Sequence, residues 1–264
     1  MTVRVLIPVG LGLNCEDETA HAFRLVGAEV DLVHVTDLFA RRHPRRIPDY
    51  QVLAFVGGFS YGDHIASGFV LATRIRAHLA DDLRAFLAAG GRVLGICNGF
   101  QALVRLGLLP GPEDGPADLV PRAALTNNER LGYRDAWVRL AADPASRCVW
   151  TRGLAALDVP DRHGEGKLVL ESDAALVRLE ARGQVPLRYV DASGAPTEAW
   201  PQNPNGSARG AAALCDTTGR ILGLMPHPDA FVYPWHHPDW TRQRKALEQR
   251  EPAGLALFRA GVAG

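Results

Sequence analysis

Short apolar runs alternate with stretches of helical spacing through the first part of the chain, and this alternation limits the fold more than any other feature. Val3–Val9, Val30–Val35, Val52–Val56 and Val93–Ile96 read as strands. Glu16–Val26 has helical spacing, with Ala20, Phe23 and Val26 on one face and Gly27 as a stop. His64–Leu79 and Asp82–Ala89 read as helices, closed by Gly90-Gly91, and Asn98–Leu106 as another. Parallel strands need crossover connections, so strands separated by helices predict a doubly wound parallel sheet.

After about residue 111 the texture changes. Gly111–Pro121 is a Pro/Gly/Asp loop. Trp137–Leu140, Cys148–Trp150, Leu168–Leu170 and Leu187–Val190 are strand candidates, expected as an antiparallel addition to the sheet. Ala211–Cys215 and Ile221–Met225 flank a hairpin turn, and Trp240–Gln249 and Pro252–Gly261 read as terminal helices. The Arg139–Leu157 stretch reads as a sheet extension or an interface. No repeat or linker divides the chain, and 264 residues suit one large α/β domain spanning residues 1–264.

Lys+Arg and Asp+Glu both total 29, so the formal charge is zero and no broad basic footprint for nucleic acid exists. The basic cluster at residues 41–46 reads as a solvated loop, with a partner or phosphate contact as the alternative. No run is long enough to span a membrane, and the N-terminus enters a strand without a signal-peptide pattern. Cys15, Cys97, Cys148 and Cys215 are far apart and show no zinc spacing, which fits free thiols in a cytoplasmic protein.

Cys97 sits where a strand turns into a helix, inside Gly95-Ile96-Cys97-Asn98-Gly99. Ligands of open parallel sheets bind beyond the strand carboxyl ends, and a tight turn there projects its side chain into the crevice. The flanking glycines relieve the turn and let backbone approach a ligand. The positive end of the following helix favours a thiolate, the nucleophilic form. A buried cysteine acting as a small hydrophobe is the plainer alternative. A nucleophile needs a base and an orienting group. His227 follows the strand candidate Ile221–Met225, and Asp229 lies two residues on, placed to hold the imidazole tautomer. An ordinary His-Pro-Asp turn is the alternative. Backbone N–H groups of Gly57-Gly58-Phe59 and of Asn98 are candidate donors to an oxyanion.

GGFSYGD (57–63), GICNGFQ (95–101), NPNGS (203–207) and GLMPHPD (223–229) together resemble the class I glutamine amidotransferases. The nearest branch is the glutaminase subunits of phosphoribosylformylglycinamidine synthase, and the likeness runs from Val3 to the terminal helices. The resemblance implies an α/β, flavodoxin-like, doubly wound, mostly parallel sheet with an antiparallel extension. It implies that Cys97 attacks the glutamine side-chain amide, that a glutamyl thioester forms and that ammonia leaves. His227 would move the protons and Asp229 would orient it. Gly58, Phe59 and Asn98 would hold the oxyanion, and Gln101 the substrate. The family usually carries glutamate where Asp229 stands, so either the loop moves closer or the His227–Asp229 contact lengthens. The resemblance also implies a large synthetase subunit and a small third subunit as partners. Ammonia would convert formylglycinamide ribonucleotide to formylglycinamidine ribonucleotide on the synthetase, in purine biosynthesis.

No cofactor or metal is expected on this chain; ATP and magnesium are expected on the partner. Gly10-Leu11-Gly12 lacks the third glycine of a dinucleotide fingerprint and reads as a turn and helix cap. His236 and His237 lack ligand spacing with His227, and Trp235 and Trp240 read as a partner-facing or core aromatic pair. His163-Gly164-Glu165-Gly166 resembles a family loop and reads as a polar turn, with a substrate or partner-interface role as the alternative. Asn127 is placed near the site rim, and Asn203–Ser207 as a turn able to bring backbone near the substrate. Cys15, Cys148 and Cys215 receive no chemical role. Competing readings are a glutaminase subunit of another amidotransferase, a related single-cysteine peptidase or deglycase, and an inactive regulatory subunit. The peptidase reading suffers because no histidine follows Cys97 before His163.

Overall fold

A computed structural model describes residues 2–264. The chain begins β1 (Arg4–Val9), α1 (Glu16–Leu25), β2 (Glu29–His34), α2 (Val35–Phe39), β3 (Val52–Phe55), α3 (Phe69–Ala88), β4 (Arg92–Ile96) and α4 (Asn98–Leu106). It continues β5 (Ala123–Asn127), β6 (Arg134–Ala142), β7 (Ala156–His163), β8 (Glu165–Leu170), α5 (Asp173–Ala181) and β9 (Leu187–Tyr189). It ends β10 (Ala213–Cys215), β11 (Ile221–Leu224), α6 (Trp240–Glu248) and α7 (Ala253–Ala263).

The main sheet has the order β10-β11-β4-β3-β1-β2, parallel throughout except for β10 at one edge. Helices cover both faces, so the inner strands are apolar along their whole length: Val52–Phe55 is buried at every position. On one face α1 and α7 meet through Phe23 and Phe258, edge to face at 4.8 Å. This is the doubly wound α/β sheet that the alternation of runs predicts.

Three expectations need correction. The helices drawn at His64–Leu79 and Asp82–Ala89 are one helix, α3, starting at Phe69. Tyr61, Gly62, Asp63, Ile65 and Gly68 all have positive φ, which keeps residues 61–68 in a loop. No glycine or proline breaks the helix near residue 81, and buried Asp82 is matched by the Arg46 guanidinium. Part of the basic loop is therefore tied to the fold, with Arg45 also 2.6 Å from Asp31. Cys148–Trp150 is no strand. Residues Val149–Thr151 make a 3₁₀ turn that sinks Trp150 into the core, where its Nε1–H donates to Arg220 O at 3.0 Å. Finally, the antiparallel strands between residues 123 and 190 do not extend the main sheet. They form two small sheets, β5-β8 and β7-β6-β9, the second bridged to the main sheet near Arg188 and Ala211.

Candidate active site

Parallel strands deliver their carboxyl ends to one side, and β11, β4, β3 and β1 are consecutive neighbours in the main sheet. The loops that leave them wall a cavity of about 520 Å³. Cys15 comes from the β1 loop, Gly58 and Phe59 from the β3 loop, Cys97 from the end of β4 and His227 from the end of β11. The turn between β7 and β8, Arg162–Glu165, closes the remaining side.

Cys97 caps α4 with φ 51° and ψ −106°, a conformation that costs a side-chain-bearing residue on the order of 1–3 kcal/mol. Its N–H donates to Leu224 O at 2.8 Å and its carbonyl accepts from Gln101 N–H at 3.0 Å, so both neighbours hold the corner. The sulfur lies 3.5 Å from Arg162 O. The bracketing glycines serve packing: a Cβ on Gly99 would run into Phe55 O, and one on Gly95 would sit 2.9 Å from the Gly99 backbone. They let α4 lie directly on β3 and β4, which is a different reason from the ligand approach expected of them.

Asn98, wholly buried, binds the nucleophile helix to the β3 loop. Its Oδ1 accepts from Ser60 N–H at 3.2 Å; its Nδ2 donates to Asp63 Oδ1 and to Gln101 Oε1, both at 2.9 Å. Gln101 Nε2 donates to Glu165 O at 2.6 Å, so both ends of that amide are engaged. Phe59 N–H donates to Gly12 O at 2.8 Å, which commits it to holding the β1 and β3 loops together. Gly58 lines the cavity and Asn98 occupies the first position of α4, where helix geometry supplies no partner for its N–H.

His227 and Asp229 are buried, with Nδ1 of the imidazole 3.3 Å from Oδ1 of the carboxylate. The contact is long, the second of the two outcomes that the shorter aspartate allows, and it does not make a hydrogen bond. Burial pushes the imidazole pKa down, but the Asp229 charge and the Cys15 and Cys97 sulfurs push it up by more, leaving it well above its ordinary value. Thr19 Oγ1 donates to Asp229 Oδ2 at 3.3 Å.

A family model described as "CobB/CobQ-like glutamine amidotransferase domain" matches residues 2–263. The chain belongs to that family. This amidotransferase is 40% identical over 261 residues to the phosphoribosylformylglycinamidine synthase subunit PurQ of Dehalococcoides mccartyi, covering 98% of this chain and 96% of that one. It is 38% identical over 270 residues to the subunit of that name from Methanococcus maripaludis, covering 99% and 98%. A solved structure described as PurLQS from Thermotoga maritima matches with a TM-score of 0.72 and 26% identity, covering all of this chain and 99% of that one.

Several residues of the amidotransferase stand differently from their sequence reading. His163 is not exposed turn polarity: it ends β7, is buried, and its Nε2 lies 2.8 Å from Asp161 Oδ2, while His163, Gly164 and Glu165 all line the cavity. Asn127 lines the cavity. Asn203–Ser207 holds β8 and Tyr189 rather than lining the cavity, through Leu168 N–H to Ser207 Oγ (2.9 Å) and Asn205 Nδ2 to Tyr189 OH (3.0 Å). Trp235 is exposed and stacks on Tyr233 at 4.6 Å, with Trp240 edge-on at 6.5 Å, so the pair is a surface cluster. Cys15, Arg162 and Tyr133 border the cavity without having been singled out. Cys15 and His227 are neighbours in space, and burial pushes the Cys15 thiol pKa up. The only advance signal was Cys15's position just after the β1 carboxyl end.

Proposed function

We propose that the chain is the glutaminase subunit of a phosphoribosylformylglycinamidine synthase. It hydrolyses glutamine to glutamate and ammonia and passes the ammonia to a synthetase subunit, which makes formylglycinamidine ribonucleotide from formylglycinamide ribonucleotide. The observation that carries this reading is the meeting of Cys97 and His227 in one cavity, in a chain that matches PurQ subunits along nearly its whole length.

The chemistry follows from the geometry. The Cys97 thiolate attacks the amide carbon, and the carbonyl electrons move onto oxygen, toward the N–H groups of Gly58 and Asn98. The imidazolium of His227 gives its proton to the departing nitrogen as the C–N bond breaks, releasing ammonia and leaving a glutamyl thioester. His227, now neutral, takes a proton from water; the resulting hydroxide attacks the thioester, the C–S bond breaks, and glutamate is released as the Cys97 thiolate is restored beside the imidazolium. Asp229 favours the charged imidazole throughout. Gln101 shapes the substrate side of the cavity through its bond to Glu165 O.

We read residues 1–264 as one type 1 amidotransferase domain in a cytoplasmic complex. The partners are the large synthetase, which carries ATP and magnesium, and a small third subunit. Ammonia release from glutamine, measured alone and with the synthetase subunit, tests the reading. Release that persists undiminished in Cys97→Ala rejects Cys97 as the nucleophile, and none in either setting rejects the reading in favour of an inactive subunit; ammonia consumed with a different acceptor points to another amidotransferase.

A further inference from the structure

We propose that Cys15, His227 and Asp229 form a binding site for a thiophilic divalent cation of the Zn²⁺ type, and that its occupancy switches glutamine hydrolysis off. One ligand atom from each residue — thiol sulfur, imidazole nitrogen, carboxylate oxygen — lies within 4.8 Å of the other two. All three side chains are buried, at 7%, 2% and 1% exposure. Thiolate, imidazole and carboxylate are the ligand types that zinc takes. The 3.3 Å between His227 Nδ1 and Asp229 Oδ1 equals the edge of a tetrahedron with metal–ligand bonds of about 2.0 Å.

The second observation is polar accounting. His227 Nδ1, His227 Nε2 and Asp229 Oδ1 are buried without a hydrogen-bond partner among the described residues. Buried polar atoms are rarely left so, because each unmade bond costs about 1–3 kcal/mol. A cation at this point satisfies Oδ1 and one nitrogen together. A thiolate and a carboxylate also balance two positive charges, so the buried site is neutral. The hydroxyl of Thr19 occupies Asp229 Oδ2 and leaves Oδ1 to coordinate, the outer support that metal ligands need. Gly57 makes the room: a Cβ there would lie 2.7 Å from His227 Cε1 and 3.0 Å from Cys15 Sγ. Cys15 and His227 both face the cavity, so water completes a fourth position. Binding releases the Cys15 thiol proton and any imidazolium proton to solvent, and an imidazole lone pair is held by the metal.

Metal binding stands independently of glutamine chemistry, whereas the inhibition rests on His227 being the base proposed above. Co²⁺ serves as a coloured probe, competed by Zn²⁺. Wild type and Cys97→Ala each show a thiolate-to-cobalt charge-transfer band at one equivalent. Cys15→Ala loses the band, and its Zn²⁺ affinity falls by roughly 10- to 100-fold or more. Zn²⁺ stops ammonia release by the wild type and a chelator restores it, while whatever turnover Cys15→Ala retains is not lowered by the metal. If Cys15→Ala fails to fold, Cys15→Ser, closer in size and a poorer ligand, carries the same comparison. No band in the wild type, a band that survives loss of Cys15, or one that vanishes with Cys97 overturns the proposal. A metal-free wild type that releases no ammonia sinks the glutaminase reading instead, and the cobalt band still decides the site.

Discussion

Around Cys97 the side-chain amides and the backbone of the corner are partnered. Asn98 reaches Ser60, Asp63 and Gln101, Gln101 reaches Glu165, and the backbone of Cys97 is pinned to Leu224 and Gln101. Around His227 the polar groups are not: among the described residues both imidazole nitrogens and one Asp229 oxygen have no hydrogen bond, although the residues are equally buried. The contrast separates two requirements. A nucleophile in a strained conformation must be held there by everything around it. A base has to give and take protons from changing partners, so its lone pairs stay available, and charge rather than a fixed hydrogen bond sets its protonation.

Changes at the held side therefore give the largest effect. Cys97→Ala lowers ammonia release by roughly 10⁴-fold or more, because the covalent route is gone. Cys97→Gly is equally inactive yet unfolds at higher denaturant than Cys97→Ala, by about 1 kcal/mol, since glycine carries no penalty at positive φ. Equal midpoints would mean the corner stores no strain.

On the open side, Asp229→Asn removes the charge that lifts the His227 pKa, while burial, which lowers it, remains. The imidazole then loses its proton at lower pH. The alkaline limb of the glutaminase profile, where the charged imidazole is needed to protonate the leaving nitrogen, moves to lower pH. Turnover falls by roughly 10²- to 10⁴-fold, and Asp229→Glu recovers most of it. Proton NMR titration of His227 reads the shift directly. An unmoved titration with unchanged turnover removes Asp229 from the mechanism.

The same division explains what could be read from the sequence. The parallel sheet and the Cys97 corner were legible because strand, turn and helix are adjacent in sequence and each carries a local pattern. His227 was legible for the same reason, at the end of β11. The small sheets were harder. β7 contains Asp158, Pro160, Asp161 and Arg162, a composition that suggests a turn, and its stability comes from pairing with β6, a long-range contact that no window of sequence contains. α5 was missed although Ser172 caps it by accepting from Ala175 N–H. Cys15 had no signal as a neighbour of His227, since only the convergence of two loops brings them together.

Asn98→Ala tests whether the held side depends on its network. The substitution leaves Ser60 N–H, one Asp63 oxygen and the Gln101 amide oxygen short of a partner in a buried setting. Unfolding stability drops by about 2–4 kcal/mol, and turnover drops with it because the β3 loop loses its tie to α4. A loss below about 0.5 kcal/mol, as for an exposed polar group, would erase the contrast between the two sides.

The smallest effect belongs to Thr19→Val. The exchange keeps shape and removes only the hydroxyl that donates to Asp229 Oδ2 at 3.3 Å. That bond is long and is the single side-chain hydrogen bond found for the Asp229 carboxylate among the described residues. Its loss costs about 1 kcal/mol, since the carboxylate retains the attraction of the imidazolium. Turnover falls a few-fold at neutral pH, far less than in Asp229→Asn, because the charge that acts on His227 is still in place. If Thr19→Val instead matched Asp229→Asn in rate and pH profile, Asp229 would be held by geometry as tightly as Cys97 is. The base would then owe its protonation to a fixed hydrogen-bonded orientation and not to a nearby charge.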